Sequence, residues 1–314
     1  MAGHSDVSNA STSARAGAFG LSQRHLYELR SKLPIILLFV PPALLVFTIF
    51  VMLPMGEAAW YSFYNWNGYG LPDQWVGFKN YEVVFRNKVF QTALTNNFLI
   101  IVVSLVVQVP LAMWLANLLA GRLRGSVAFR LVFFLPYVLA EVAAGLIWRF
   151  VYDGDFGLVS GILQFFGSEP IYLLAERDHA MSAILAVIVW KYFGFHMMLF
   201  IAGLQAIDHE VMEAADIDGA QGWQKFFFVT LPMLGSTVRL SVFFALVGSL
   251  QLFDLVIPLT GGGPGNATHT LVTYLYQFGV VRLQIGFGSA VGVVLFFIAV
   301  TLAFSYRRVF MRYD

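Results

Sequence analysis

The sequence predicts an all-α membrane protein with six transmembrane helices, on three observations. Mean hydropathy is +0.73. Charged residues make up only 12% of the 314, and a soluble domain of this length would need far more polar surface, so lipid is the expected solvent. Six apolar runs approach the roughly 20 residues that a spanning helix requires. Closed barrels also satisfy the backbone in lipid, but these runs are too long and too continuous for barrel strands.

Taken in order, residues 1–32 read as a disordered cytoplasmic tail, because Ser5, Ser8, Ser11, Thr12, Ser13, Gly17 and Gly20 are small and polar. The apolar run after Lys32 is longer than a typical signal core and no small-residue cleavage site follows it, so a cleaved signal peptide is not expected. A six-span domain covers 33–306, with spans predicted at 35–55, 97–119, 129–151, 181–204, 238–259 and 285–306. A polar connection, 205–237, separates the fourth and fifth spans, and 307–314 forms a short C-terminus. The connection 56–96 carries Trp60, Tyr61, Tyr64, Trp66, Tyr69, Trp75 and Tyr81, an aromatic belt at a membrane surface. Segments 152–180 and 260–284 are also too apolar for simple linkers and suit short interfacial helices.

Basic residues orient the spans. Arg15, Arg24, Arg30 and Lys32 lie in the tail, Arg122, Arg124 and Arg130 between the second and third spans, Lys225 and Arg239 between the fourth and fifth, and Arg307, Arg308 and Arg312 at the C-terminus. These are twelve of the 19 Lys and Arg residues, so that side is expected to be cytoplasmic, with both termini inside.

Composition also excludes functions. A net charge of +1 gives no case for nucleic acid. The absence of Cys removes disulfides, zinc–thiolate sites and thiol catalysis. The six His residues are scattered without metal spacing, which disfavours a membrane-embedded metalloenzyme.

The connection 205–237 holds the most informative run, Glu213, Ala214, Ala215, Asp216, Ile217, Asp218, Gly219 and Ala220. Asp208 can cap a short helix here, with Glu210 favoured near its positive end. Gly219 suits a left-handed residue ending that helix. Ala215, Gly219 and Gly222 share one face at helical spacing, allowing close approach of another surface. Trp223, Phe226, Phe227 and Phe228 can anchor a second short helix, and Pro232 can start a bend into the fifth span. Asp208, Glu210, Glu213, Asp216 and Asp218 offer charge to a basic partner. On residue types alone, an amphipathic loop without a partner fits equally well.

The run resembles the E-A-A-x-x-D-G-A motif of the membrane permease subunits of binding-protein-dependent ABC importers. Glu213, Ala214, Ala215, Asp218, Gly219, Ala220, Phe226 and Pro232 match it in order and spacing, before the penultimate span as in that family. Two further stretches are similar to the family's carbohydrate branch: Gln251-Leu252-Phe253-Asp254 with Leu259-Thr260-Gly261-Gly262-Gly263-Pro264-Gly265-Asn266-Ala267-Thr268, and Gly77-Phe78-Lys79-Asn80-Tyr81. The glycine-rich stretch lacks the Lys and Ser/Thr of a phosphate-binding loop, and no Walker motif occurs in the chain. The resemblance covers about 33–306 and is nearest the first permease of maltose-type and glycerol-phosphate importers. It departs from the maltose-type subunit in having no large periplasmic insertion and no extra N-terminal spans, and maltose itself is not implied.

The resemblance implies a type I importer permease and half of a pathway for a sugar or related polyol. Its coupling helix, at 213–220, would dock into a cytoplasmic ATPase. The implied partners are a second homologous permease, an ATPase dimer holding ATP and Mg, a periplasmic or lipid-anchored sugar-binding protein, and membrane lipid. This chain would bind no cofactor and perform no covalent chemistry.

Polar residues inside the spans are candidates for the pathway, since charges there need interior partners or water. Gln251 and Asp254 lie within the predicted fifth span, beside Phe253; Trp190, Lys191, Tyr192 and His196 lie in the fourth, and Glu141 in the third. Aromatic faces stack on the apolar side of a sugar, and amide, carboxylate and phenol groups exchange hydrogen bonds with hydroxyls. Each has a structural alternative. Asp254 can pair with Lys191 or hold a helix bend, His196 can be a packing residue, and Glu141 and Arg149 can sit at the membrane surface. Asn96 and Asn97 fit either the pathway or caps of the second span. Gly145, Gly194, Gly203, Gly248, Gly288 and Gly292 suit close helix crossings. An ion-driven secondary transporter would also use buried acids, but leaves the Glu213 loop unexplained. A sensory membrane module is disfavoured by the absence of any signalling domain.

Overall fold

The computed structural model describes residues 32–121 and 125–310. Residues 1–31 of the tail expected to be disordered lie outside them, as do Arg122, Arg124 and Arg312 of the orientation argument, whereas Lys32, the last residue assigned to that tail, is helical. The described residues form helices and turns, with one isolated bridge between Tyr64 and Trp75.

Helix α1, Lys32–Tyr61, falls almost wholly in a compact unit of its own that ends at Trp60. It runs for 30 residues, and no residue of its most apolar stretch is buried. An apolar helix exposed all round suits lipid contact.

The second unit starts at Tyr61. Its helices are α2 (Lys79–Arg86), α3 (Lys88–Ala120), α4 (Ser126–Val138), α5 (Glu141–Val151), α6 (Leu158–Phe165), α7 (Arg177–Gln205), α8 (His209–Ile217), α9 (Trp223–Met233), α10 (Gly235–Gln251), α11 (Val256–Thr260), α12 (Leu271–Val281) and α13 (Ile285–Phe310). Helices α1, α3, α7 and α13 are each long and apolar enough to cross a bilayer. The bent pairs α4–α5 (98°) and α9–α10 (73°) raise the number to six when each pair is taken as one span.

Three boundaries differ from expectation. The second span begins at Lys88 rather than near Asn97, capped by Asn87, whose Oδ1 accepts from the amides of Val89 (2.9 Å) and Phe90 (3.3 Å). Asn96 and Asn97 are therefore not caps. The third span breaks at Leu139 and Ala140: Leu139 is extended, and Ala140, at ψ 137°, is also out of the helical conformation. The fifth ends at Gln251, and Leu252 turns extended so that Leu252 and Leu255 drop into the core. Hydropathy is continuous across both breaks, so periodicity cannot reveal them.

The core forms in three places. Ala112 and Ala116 of α3 meet Met197, Phe200 and Ile201 of α7. Ala144 of α5 packs with Ile184, Val187 and Ile188 of α7 and with Leu255 and Leu259. Val84 of α2 joins Phe90 of α3, Tyr274 of α12 and Val291 of α13. Small residues permit these crossings: a Cβ on Gly194 would overlap the Phe133 carbonyl, and one on Gly145 would lie 2.7 Å from Pro258. Gly203 and Gly288 are similarly crowded, whereas Gly248 faces open space and Gly292 makes only ordinary contact.

Candidate functional site

Two places gather the candidate residues. The first is α8 with the turn that follows it. Asp208 occupies the N-cap position, but its side chain makes no capping bond. Glu213 and Ala214 are exposed, and Ala215 is the buried residue of α8. Asp218 is the C-cap, and Gly219 follows at φ +81°, the left-handed conformation expected of it. Ala220 is half-buried. Because α8 stops at Ile217, Gly219 and Gly222 lie beyond it and do not extend a face from Ala215; Gly222 instead precedes α9. Polar contacts are local: His209 Nε2 lies 3.3 Å from Glu213 Oε1, and Lys225 Nζ lies 2.7 Å from Asp216 Oδ1. Ile217 is 87% exposed, Trp223 69% and Phe228 80%. Pro232 lies two residues before the bend into α10.

The second place is a cavity of about 490 Å³ among α3, α7 and α10, with Tyr137 of α4 on its wall. Tyr192 and Gln251 line it, together with Ser104, Gln108, Phe195, His196, Phe244 and Ser249. Ser104 and Gln108 bracket a wide π-turn in α3, a distortion common where a helix carries function. Gln108 is 2% exposed, and its Oε1 has no hydrogen-bond partner. A buried carbonyl without a donor is costly unless something supplies one. His196 Nδ1 is 2.8 Å from Ser241 Oγ, so one ring nitrogen is used structurally. Tyr137 stacks on Phe195 with ring centroids 4.9 Å apart.

Three expected pathway residues lie elsewhere. Trp190 packs against Trp148, ring centroids 5.2 Å apart, in the core. Phe253 meets Tyr276 edge-on. Asp254 is exposed in the turn after α10, not inside a helix. It does not take the Lys191 ammonium, which donates instead to the carbonyls of Pro136, Tyr137 and Leu139. Glu141 opens α5 and accepts from the Tyr192 hydroxyl at 2.7 Å. Ser104 and Gln108 escaped the sequence reading, although two polar residues four apart in an apolar helix share a face and were a usable signal.

The chain resembles known proteins along most of its length. Residues 108–312 match the family model described as binding-protein-dependent transport system inner membrane component. The probable ABC transporter permease protein YurN of Bacillus subtilis is 35% identical over 277 residues, spanning 87% of this chain and 94% of the relative. The sulfoquinovosyl glycerol transport system permease protein SmoG of Agrobacterium fabrum is 33% identical over 91% of this chain and 93% of its own length. The sn-glycerol-3-phosphate transport system permease protein UgpA of the same organism is 32% identical, over 87% and 93%. A crystal structure of a bacterial ABC transporter involved in import of the acidic polysaccharide alginate superposes with a TM-score of 0.76 at 22% identity, covering 91% of this chain and 99% of that one. At that identity the superposition establishes the fold. On the family match and these relatives, the chain belongs to the binding-protein-dependent transport system inner membrane components, and is an ABC transporter permease subunit rather than an enzyme.

Proposed function

We propose that this chain forms half of the pathway of an importer for a sugar or related polyol, and couples it to a cytoplasmic ATPase through α8. The observation that carries the coupling is the form of α8 itself. Glu213 and the aliphatic tip Ile217 are exposed, and the helix is ended by left-handed Gly219. An exposed acid beside an exposed hydrophobe fits a partner that offers both a basic group and an apolar cleft. Glu213, Ala214, Ala215, Asp218, Gly219 and Ala220 are the residues assigned to that contact. The basic residues near α8 make its side cytoplasmic, with both chain termini there.

The cavity supports the substrate class. It mixes rings (Tyr137, Tyr192, Phe195) with neutral hydrogen-bonding groups (Gln108, Gln251, Ser104) and carries no fixed charge. Such a lining suits a hydroxylated solute, whose ring face stacks on the aromatic side chains while its hydroxyls exchange hydrogen bonds with the polar ones. Two relatives are named for transport of glycerol derivatives, which are hydroxylated, but both of those solutes also carry an acidic group. Gln251 and Tyr192 remain pathway residues in this reading, while Trp190, Phe253 and Asp254 do not contact the solute.

A second homologous permease would close the other side of the pathway, and a periplasmic or lipid-anchored binding protein would deliver the solute. ATP and Mg would be held by the ATPase dimer alone. Closure of the ATPases would move α8 and, through the bundle, open the cavity outward. Each ligand must prefer one state for such coupling to work. The test is co-purification of the tagged chain expressed with its neighbouring genes. A second permease and an ATPase should be recovered, and Glu213→Lys should release the ATPase while keeping the second permease. Recovery of a lone chain that transports in ATP-free vesicles would overturn the proposal.

A further inference from the structure

We infer that Lys191 and Tyr192 are positioning residues for transport: adjacent on α7, they tie down the two halves of the bent α4–α5 pair, one residue to each half. The inference rests on the cavity reading above.

Lys191 is 1% exposed. Its Nζ donates to the carbonyls of Pro136 at 2.9 Å, Tyr137 at 3.1 Å, and Leu139. These carbonyls lie at the C-terminal end of α4, where a helix has no amide donors left for its last turn. An ammonium carries three donors, and three carbonyls use them all. Lys191 is therefore a fully committed cation, with no donor left for a solute or a proton relay. The negative end of the α4 dipole adds to the attraction.

The next residue addresses the other half. Tyr192 donates its hydroxyl to Glu141 Oε1 at 2.7 Å, and Glu141 is the first residue of α5. Between these anchors the chain turns by 98°. A lone buried charge is costly, and so are orphaned carbonyls in an apolar bundle; here each satisfies the other. The tie reaches the cavity directly, because Tyr137 gives its carbonyl to Lys191 and its ring to the wall, stacked on Phe195. Tyr192 lines the same wall. The pair thus fixes where two cavity rings stand.

The test uses the assembled transporter in proteoliposomes. Lys191→Met keeps the length and removes the donors. It should cut uptake at least about tenfold, the scale of loss for a misplaced positioning group, at unchanged membrane abundance, partner co-purification and basal ATP hydrolysis. Lys191→Arg should recover part of the rate. Tyr192→Phe should lower uptake by less, and the double variant should be no worse than Lys191→Met, because both ties act on one bend.

The chain has no Cys, so Tyr137→Cys with Phe195→Cys can be joined by a short thiol crosslinker. That reaction should slow when Lys191→Met or Tyr192→Phe is added. Full uptake by Lys191→Met, independent losses in the double variant, or an unchanged crosslinking rate would overturn the inference. If Lys191→Met is lost from the membrane, the crosslinking rate in Tyr192→Phe decides instead. Loss of uptake in Glu213→Lys alongside normal Lys191→Met would sink the clamp and leave the importer reading standing, whereas normal uptake by both would sink that reading too.

Discussion

Two polar connections of this chain are built in opposite ways. In 208–222 the side chains bond only to near neighbours among the described residues, His209 to Glu213 and Asp216 to Lys225, and the tip Ile217 is bare. In 260–270 the polar groups turn inward. Asn96 Nδ2 donates to the carbonyls of Ala267 (2.8 Å) and His269 (2.9 Å), and Asn97 Oδ1 accepts from the Leu271 amide at 2.7 Å. Thr270 Oγ1 donates to the Leu252 carbonyl, and Thr268 Oγ1 to the Gly263 carbonyl. A loop with unspent groups and an exposed hydrophobe is suited to a partner, whereas one whose groups are spent internally holds helices in register.

The largest effect should come from the exposed loop. Glu213→Lys, or Gly219→Leu at its left-handed position, should reduce uptake to background while thermal stability changes by less than about 0.5 kcal/mol for the surface charge reversal. Uptake assays paired with melting of the purified chain would check this; intact uptake in both variants breaks the contrast.

Next in size, Asn97→Ala should destabilise the bundle by roughly 2–4 kcal/mol, because it strands the buried Leu271 amide and the Ser249 carbonyl. The measurement is melting temperature in detergent, and a loss as small as that of a surface variant would show the inward loop is not structural.

A smaller effect should appear with pH. Burial, with Arg282 nearby, holds His269 below its ordinary pKa. A depressed His pKa favours the neutral ring in the folded chain. The contribution is therefore present above about pH 6.5, the unperturbed value, and lost as pH falls through the folded pKa. His269→Gln should flatten the acid side of a stability–pH curve, and an unchanged slope would remove His269 from the account.

The smallest effect belongs to Asp216→Ala. It breaks an ion pair whose Asp is 59% exposed, so it should cost no more than about 1 kcal/mol by the same melting assay. A larger loss would mean that 208–222 also serves the fold.

Much of this was legible in the residues themselves. The six apolar runs locate the helices, because a backbone in lipid has few other ways to bond its polar groups. Gly219 marks the end of α8, because a left-handed residue favours glycine. The acidic, small-residue run of 213–220 pointed to the family that the relatives establish. The cavity was only half legible. Of the pathway candidates, Gln251 and Tyr192 line the cavity and Trp190 packs against Trp148 instead, while Gln108 lines it without having been a candidate.

Tertiary structure decided the rest. Where a span bends depends on which carbonyls can be satisfied after the bend, and hydropathy carries no record of that. Lys191 reaches carbonyls more than 50 residues away in the chain, so its partner could not be read locally, and Asp254 was the obvious wrong choice. Composition and pattern determined that this chain would be helical in lipid and carry an exposed acidic loop between two spans. Packing alone decided which buried donor meets which orphaned acceptor, because that pairing is set by helix contacts distant in sequence.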